Sequence, residues 1–265
     1  MPICANLSLL FTELPLLERV RAAADAGFDG VEIQFPYEVP AVELKAALDR
    51  AGLPLVLINL PAGDLMQGGA GLAGVPGREA EFAAALEQAL AYAAVVAPQK
   101  VNVLAGRASE GVTREQALAV LADNLRLAAE AFAATGGGVL MEAINLHDMP
   151  GFLLNTPAHL LEMLARVGHR NLAAQLDFYH MARMGLALEP CVRQLAGHIG
   201  HVQFADVPGR GEPGSGQLDF LPALRALREE GYSGWLGAEY RPAAKATASL
   251  DWLPRWRQGL RESWR

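Results

Sequence analysis

One local pattern recurs along the chain: an Ala-, Leu-, Glu- and Arg-rich stretch stops at a glycine, and a short apolar run follows. "RVRAAADAGFDGVEIQF" ends a predicted helix near Gly27 and begins a predicted strand near Val31, and "LLEMLARVGHRNLAAQLDF" does the same at Gly168. A glycine just past a helix adopts the left-handed conformation that closes the last turn. Short apolar strands that alternate with helices predict βαβ units, and therefore a parallel sheet.

Eight such strands alternate with eight helices, which predicts an α/β fold, the closed (β/α)8 TIM barrel. The predicted strands are Ile3–Leu9, Val31–Phe35, Pro54–Leu60, Lys100–Ala105, Val139–Ile144, Leu172–Asp177, Ile199–Ala205 and Trp235–Tyr240. The alternative, an open doubly wound sheet, would favour a glycine-rich fingerprint after the first strand, and "NLSLLFTELP" has none. No linker or change in composition divides the sequence, so residues 1–265 are predicted to form a single TIM-barrel domain.

The longest irregular stretch is "PAGDLMQGGAGLAGVPG", from Pro61 to Gly77. Connections of this length are uncommon inside compact domains. The sequence leaves two interpretations open: a mobile loop at an active site, or a disordered surface loop with no role.

Charge and composition restrict the possible partners. The net charge of -7 argues against nucleic acid as the main partner, because a phosphate backbone requires a concentrated basic surface, although a small anionic substrate remains compatible. Cys4 and Cys191 lie far apart and are interpreted as small buried hydrophobic residues. The first residues do not resemble a signal peptide, and no apolar run reaches membrane-spanning length, so we expect a cytoplasmic protein. Because barrels with apolar helix faces often pair, formation of a homo-oligomer stays open.

Four consecutive late strands each carry an oxygen-bearing side chain at the C-terminal end, where the strands of a barrel converge on one mouth. These residues are Glu142 in "VLMEAI", Asp177 in "AAQLDFYH", Gln203 in "GHVQFAD" and Glu239 in "WLGAEY". Three carboxylates so close together would repel one another and raise their pKa values, and a divalent cation would remove that cost. Oxygen donors without a thiolate suit Mg²⁺ or Mn²⁺. The four residues are therefore predicted to bind a metal; the alternative is a hydrogen-bonded polar plug without an ion.

Three further residues are predicted to bind substrate. His180 lies just beyond Asp177, and His201 shares a strand face with Gln203, so each histidine could bond substrate oxygens or orient metal ligands. Arg210, in "DVPGRGEPGSG", could pair with a substrate carboxylate. The alternatives are structural histidines and a solvated loop cation.

Seven segments together resemble the hydroxypyruvate isomerase family, which belongs to the xylose-isomerase-like divalent-metal TIM barrels. In chain order they are "NLSLLFTELP", "FPYE", "GVPGRE", "EAINLHDMPGF", "QLDFYH", "GHVQFADVPGRGEP" and "GWLGAEYRP". The resemblance covers nearly the whole chain and implies a metal at the four positions named above, with Glu142 and Glu239 as the proton-transferring pair. Related sugar epimerases tend to have a histidine at the position of Gln203, and this difference favours the hydroxypyruvate branch. Arg241 stands where relatives often have lysine.

The resemblance implies an enzyme, an isomerase of the intramolecular oxidoreductase class. It would interconvert hydroxypyruvate and 2-hydroxy-3-oxopropanoate (tartronate semialdehyde) by metal-assisted proton transfer through an enediolate. A neighbouring activity on 2-oxo-tetronates stays open, and the loop "INLHDMPGFLLN" could discriminate between the two. A metal-dependent endonuclease-like hydrolase would favour a histidine-rich zinc site on a basic rim. A non-catalytic sugar-acid binding protein would gain little from two glutamates beside an anionic ligand.

Overall fold

Each of the eight apolar runs contains a strand, and the strands form one closed parallel barrel in chain order, as predicted. The computed structural model describes residues 1–262. Its strands are β1 Ile3–Asn6, β2 Gly30–Ile33, β3 Leu55–Asn59, β4 Lys100–Asn102, β5 Gly138–Glu142, β6 Leu172–Asp177, β7 Ile199–Phe204 and β8 Leu236–Ala238. The barrel closes where β8 pairs with β1, with Cys4 opposite Gly237. That glycine is required because a Cβ there would lie 2.6 Å from the carboxylate of Glu32.

Most strands are shorter than the apolar runs that predicted them. The first run was expected to extend to Leu9, but β1 ends at Asn6, whose carbonyl accepts hydrogen bonds from the backbone amides of Leu9 and Leu10. The chain turns there, yet Leu7 and Leu10 stay buried in the core between the barrel and its helices. The apolar pattern therefore records burial, which continues beyond the hydrogen-bonded ladder.

The helices surround the barrel and follow the predicted alternation with one addition. They are α1 Leu16–Asp25, α2 Ala41–Ala51, α3 Glu79–Val96, α4 Arg114–Ala133, α5 Pro157–Val167, α6 Phe178–Arg183, α7 Leu188–Gln194, α8 Leu221–Glu229 and α9 Trp252–Glu262. Two short helices stand between β6 and β7 because Gly185, at φ 73°, ends the first of them. Gly27 and Gly168, at φ 89° and 62°, have the left-handed conformation expected after a helix. Across residues 1–262, every helix is too short or too polar to span a membrane.

The segment from Pro61 to Gly77 is ordered, which does not fit the interpretation as a disordered loop. It contains a 3₁₀ turn at Leu65–Gln67, and its second half is buried from residue 71 to residue 75. Asp64 accepts a hydrogen bond from the backbone amide of Gly71, and Arg107 donates one to the carbonyl of Gly68. The turn at Leu65–Gln67 lies over the carboxyl ends of the strands, at the edge of the cavity described below.

Candidate active site

The four predicted metal ligands come together at the carboxyl end of the barrel. Glu142 and Asp177 are the last residues of β5 and β6, Gln203 is next to last in β7, and Glu239 directly follows β8. All four are buried, and Glu142, Gln203 and Glu239 line one cavity at the mouth. Asp177 adjoins it through His180, with 3.5 Å between Asp177 Oδ2 and His180 Nε2. This proximity satisfies the geometric part of the prediction; the role of each residue stays a prediction.

Glu142, Asp177 and His180 each offer a potential ligand atom, and these atoms lie within 4.8 Å of one another. His180 Nε2 is 3.7 Å from Glu142 Oε1. The amide nitrogen of Asn145 lies 2.6 Å from His180 Nδ1, so with that amide as donor the Nε2 atom carries the ring hydrogen and faces the carboxylates. In this tautomer His180 Nε2 cannot bind a metal and is a hydrogen-bond donor to the cavity, which is the role expected of a substrate-binding histidine.

The carboxylates at the mouth fit a hard cation. Asp177 Oδ1 accepts a hydrogen bond from the backbone amide of Tyr179, whereas the buried Oδ2 has no hydrogen-bond partner among residues 1–262. An unpartnered buried carboxylate oxygen is costly, and a cation would satisfy it. The oxygens of Glu142, Asp177 and Glu239 are of the type that Mg²⁺ and Mn²⁺ prefer.

Mutual repulsion and burial shift the pKa values of these groups. Burial raises the pKa of Glu142 well above its ordinary value, and the negative charges of Glu239 and Asp177 raise it further. Burial raises the pKa of Asp177 to about 7, although the nearby cation of Arg210 opposes the shift. Glu239 shows a raised pKa with the same balance of causes. Burial lowers the pKa of His180 well below its ordinary value, and Arg210 lowers it further, which keeps the imidazole neutral.

Arg210 belongs to this cluster and is not a solvated loop cation. Its side chain is 17% exposed, and Nη2 lies 2.5 Å from Glu239 Oε2 and 3.6 Å from Asp177 Oδ2. The guanidinium also lies over the ring of Tyr179, 4.9 Å from the centroid. Glu239 Oε1 accepts hydrogen bonds from Gln34 Nε2 at 2.7 Å and Asn6 Nδ2 at 3.0 Å.

His201 occupies a different layer from the one expected. Its side chain is completely buried, and its Nε2 atom is 2.7 Å from Glu32 Oε2. Gln203 is among the described residues that line the cavity, whereas His201 is not. Alternation along β7 places both side chains on one face, but His201 lies one layer deeper in the barrel. The structure therefore places His201 against Glu32 beneath the cavity, where it fits the second predicted role, that of orienting a metal ligand, through the contact of Glu32 with Gln203.

Several polar residues of the site were missed by sequence analysis. Glu32 accepts hydrogen bonds from Gln203 Nε2 at 2.7 Å and from Asn6 Nδ2 at 2.9 Å, and Gln175 Nε2 donates to Gln203 Oε1 at 2.6 Å. Asn102 Nδ2 donates to Glu142 Oε2 at 3.0 Å. The available signal was a polar residue inside an apolar strand, the same signal that identified the late strands.

Apolar side chains form one wall of the cavity, beside further polar groups of Gln34, Asn59, Asp148 and Gln175. The apolar residues are Phe35, Met66, Leu104, Ile144 and Met149. Met66 belongs to the 3₁₀ turn of the 61–77 segment, and Met149 to the loop after β5. The cavity thus has a charged floor and an apolar wall, as expected for a site that binds a small polar molecule.

Comparison with known proteins identifies the family. The profile described as xylose isomerase-like TIM barrel matches residues 20–256. The chain is 42% identical over 253 residues to hydroxypyruvate isomerase of Escherichia coli (strain K12), covering 96% of this chain and 98% of that protein. It is 43% identical over 250 residues to 2-oxo-tetronate isomerase of Cupriavidus necator, covering 94% and 96%.

A solved structure agrees over the same length. A crystal structure described as AP endonuclease, family 2, from Brucella melitensis is 38% identical, with a TM-score of 0.92, and the match covers 97% of this chain and 99% of that one. Together with the matches over nearly the full lengths of the two isomerases, these findings show that the chain belongs to the hydroxypyruvate isomerase family of the xylose isomerase-like TIM barrels and is an isomerase.

Proposed function

We propose that this isomerase interconverts hydroxypyruvate and 2-hydroxy-3-oxopropanoate with the help of a divalent cation, Mg²⁺ or Mn²⁺. One observation carries the proposal: Glu142 and Glu239, from strands on different sides of the mouth, both face one cavity, and both have raised pKa values. A carboxyl group with a raised pKa can hold and release a proton near neutral pH, which is what acid–base catalysis at carbon requires.

Glu142, Asp177, Gln203 and Glu239 would hold the cation. Two observations support this assignment: Asp177 Oδ2 accepts no hydrogen bond from residues 1–262, and the three carboxylates repel one another. Gln203 fits as the neutral ligand, because its Nε2 atom donates to Glu32, whereas its Oε1 atom accepts one hydrogen bond, from Gln175 Nε2, and keeps a second lone pair for a cation. When bound, a divalent cation neutralises these charges and polarises the oxygens of the substrate.

The two glutamates carry the proton transfer in this proposal. One takes a proton from C3 of hydroxypyruvate, which leaves an enediolate across C2 and C3, and the other delivers a proton to C2. The hydroxyl proton on O3 moves to O2, so the product is the aldehyde with no net gain or loss of atoms. Burial at the mouth keeps bulk water from competing with either glutamate for these protons.

Arg210 and His180 would orient the substrate. The guanidinium of Arg210 offers five N–H donors, so the contact with Glu239 leaves donors for a substrate carboxylate. The Nε2 atom of His180 faces the cavity as a donor to a substrate oxygen. In this arrangement Arg210 holds the carboxylate end of the substrate, and His180 bonds one of its remaining oxygens.

A four-carbon substrate is a second candidate, supported by the 43% identity to the 2-oxo-tetronate isomerase of Cupriavidus necator. The same glutamates would perform the same proton transfer. Discrimination between the two substrates would fall to the apolar wall and to the loop after β5, which brings Asp148 and Met149 to the cavity.

Endonuclease activity is the less favoured alternative, although a similar crystal structure is described as an AP endonuclease, family 2. The net charge of -7 weakens the electrostatic attraction on which DNA binding depends. Of the described cavity residues, His180 is the one histidine, whereas a multi-zinc hydrolase would need several.

The test follows both isomerisations with purified protein treated with EDTA and then supplied with Mg²⁺ or Mn²⁺. We expect turnover of hydroxypyruvate that is lost on chelation and restored by metal, and that is abolished in a folded Glu239→Gln variant. Faster turnover of 2-oxo-tetronate would transfer the assignment to the four-carbon acid. Cleavage of DNA with an abasic site in the absence of either isomerisation would overturn the proposal, as would ligand binding without turnover.

A further inference from the structure

The loop between β7 and α8, residues 205–220, is folded around one carboxylate. Asp206 is buried, and its two oxygens accept five hydrogen bonds from backbone amides of the same loop. Oδ1 accepts from Val207 at 2.8 Å, Gln217 at 2.9 Å and Leu218 at 3.0 Å, and Oδ2 accepts from Gly214 and Gly216 at 3.0 Å each. Because an ionised carboxylate only accepts hydrogen bonds, it can satisfy many converging N–H groups at once.

These bonds tie the start of the loop to its end. Val207 lies at the beginning of the loop, whereas Gln217 and Leu218 lie close to α8, and the backbone amide of Gln217 also donates to the carbonyl of Val207. The backbone amide of Asp206 donates to the carbonyl of Gly211. The intervening turn is thereby held at both ends and in the middle.

Arg210 lies inside this turn and has φ 57°, a left-handed conformation that an arginine rarely adopts. Its carbonyl accepts a hydrogen bond from the backbone amide of Arg241 at 2.7 Å, and its guanidinium reaches Glu239. An unfavourable backbone conformation persists where the surrounding structure enforces it. In this loop the bonds to Asp206 supply that enforcement.

We propose that Asp206 is a positioning residue, which acts on the site through Arg210 by holding the loop in the conformation that brings the guanidinium to Glu239 and Asp177. Both carboxylate oxygens of Asp206 face loop amides, so its effect on the site is indirect. The inference rests on the proposed function, in which Arg210 orients the substrate.

The main test compares Asp206→Asn with Arg210→Ala and with the double variant. Asparagine keeps the size of the side chain but replaces one acceptor oxygen by an NH₂ group, so at least two loop amides lose their partner. We expect Asp206→Asn to lower kcat/KM for hydroxypyruvate at least tenfold, and to lower it less than twofold when Arg210 is already alanine. Losses that multiply in the double variant would show that Asp206 does not act through Arg210, and would overturn the proposal.

Asp219→Asn is the matched control. Asp219 is an exposed residue near the end of the same loop, and its carboxylate accepts one backbone hydrogen bond, from Leu221 at 3.0 Å. We expect kcat/KM within twofold of the unmodified protein. If Asp219→Asn lowered kcat/KM as much as Asp206→Asn, the assignment would be contradicted. The effect would then follow from losing any acidic residue of the loop, and not from losing the hydrogen bonds of Asp206.

A second pair of variants covers the case in which Asp206→Asn folds poorly. A Cβ on the exposed Gly216 would overlap the carbonyl of Val207 and lie 2.6 Å from Asp206 Oδ1, so Gly216→Ala forces the loop open from outside. A Cβ on Gly209 meets no atom of the described residues within 4 Å, and Gly209→Ala is its control. We expect Gly216→Ala to reproduce the loss and Gly209→Ala to leave kcat/KM unchanged.

A structural measurement separates this proposal from the proposed function. The NMR signal of the Arg210 guanidinium should exchange slowly with solvent in the unmodified protein and in the two controls, and rapidly in Asp206→Asn and Gly216→Ala. If the protein isomerises neither acid but shows this pattern, the proposed function fails and the positioning role stands. Slow exchange in all five proteins would overturn the positioning role, whatever the activity.

Discussion

Glu32 and Glu142 are both buried glutamates inside the same barrel, and their surroundings make them opposite in character. They are 0% and 5% exposed. Burial alone would raise the pKa of Glu32, but His201 and hydrogen bonds from Gln203 and Asn6 more than offset it and lower the pKa. For Glu142 the neighbours Glu239 and Asp177 add to the effect of burial, and the pKa is raised well above its ordinary value.

The difference shows that the neighbouring groups, and not the depth of burial, decide whether the pKa of a buried carboxylate is lowered or raised. In the layer beneath the mouth, defined by Cys4, Asn6, Glu32 and His201, the carboxylate of Glu32 is hydrogen-bonded to each of the other three side chains. The mouth carries three carboxylates close together and one guanidinium among them. The lower layer can hold its charge without help, whereas the mouth has a surplus of negative charge that a cation would relieve.

The largest expected effect comes from removing the charge of Glu142. A Glu142→Gln variant keeps the shape but can neither transfer a proton nor ligate as an anion, so we expect turnover of hydroxypyruvate to fall by about a thousandfold or more. With EDTA present, the same variant should be at least as stable as the unmodified protein, because one of three repelling charges is gone. Kinetics with Mn²⁺ and urea unfolding in EDTA measure the two quantities. Near-normal turnover would remove Glu142 from catalysis.

In the variant Glu32→Gln, by contrast, the main expected effect is a loss of stability. The substitution breaks a buried pair with His201, so we expect the free energy of unfolding at pH 7 to fall by about 3 kcal/mol. Because the pKa of Glu32 is lowered in the folded protein, its contribution is present above the unfolded value of 4.5 and is lost as the pH falls through the folded value. The deficit relative to the unmodified protein should therefore shrink in acid.

Glu43→Gln is the control for this variant, since Glu43 is exposed in the first turn of α2. Its loss should stay within about 0.5 kcal/mol. An equal loss of unfolding free energy in Glu32→Gln and Glu43→Gln would mean that the hydrogen bonds of Glu32 do not stabilise the fold.

The barrel could be predicted from the sequence because each strand is an apolar run and because left-handed glycines follow the helices. Strand ends could not, since buried residues such as Leu7 and Leu10 continue the apolar pattern after the ladder stops. The break between α6 and α7 was missed because the helical pattern alone does not show that Gly185 turns the chain.

The proximity of the late-strand residues could be predicted because Glu142, Asp177 and Glu239 interrupt apolar strands at equivalent ends. The depth of His201 could not, because alternation along a strand gives the face but not the layer. The contacts of Glu32 could not be predicted without knowing the register between distant strands. His201 lies 169 residues away in sequence, yet its Nε2 atom is 2.7 Å from Glu32 Oε2. Such contacts arise only when the barrel closes.

An effect of about tenfold or more is expected in the pH dependence of metal binding. With a pKa of about 7, Asp177 must lose a proton before it binds a cation, so its ionisation alone should raise the affinity for Mn²⁺ about tenfold from pH 6 to pH 8, and the raised pKa of Glu142 adds to this rise. Glu32, with a lowered pKa, should contribute nothing to this rise. Calorimetry at pH 6 in buffers of different ionisation enthalpy measures the protons released. A pH-independent affinity without proton release would contradict the predicted contrast between the two layers.

The smallest effect is expected at the apolar wall, where Met66 faces the cavity but is 53% exposed. A bound substrate can bury only part of this side chain, so Met66→Ala should forfeit about 1 kcal/mol of binding, which is about a fivefold rise in KM. The value of kcat should not change, because Met66 is not part of the charged floor. Val42→Ala, on α2 and 67% exposed, is the control and should leave KM unchanged. If kcat falls instead, the turn at Leu65–Gln67 helps to position the catalytic groups at the mouth. Catalysis would then depend on a segment outside the two charged layers.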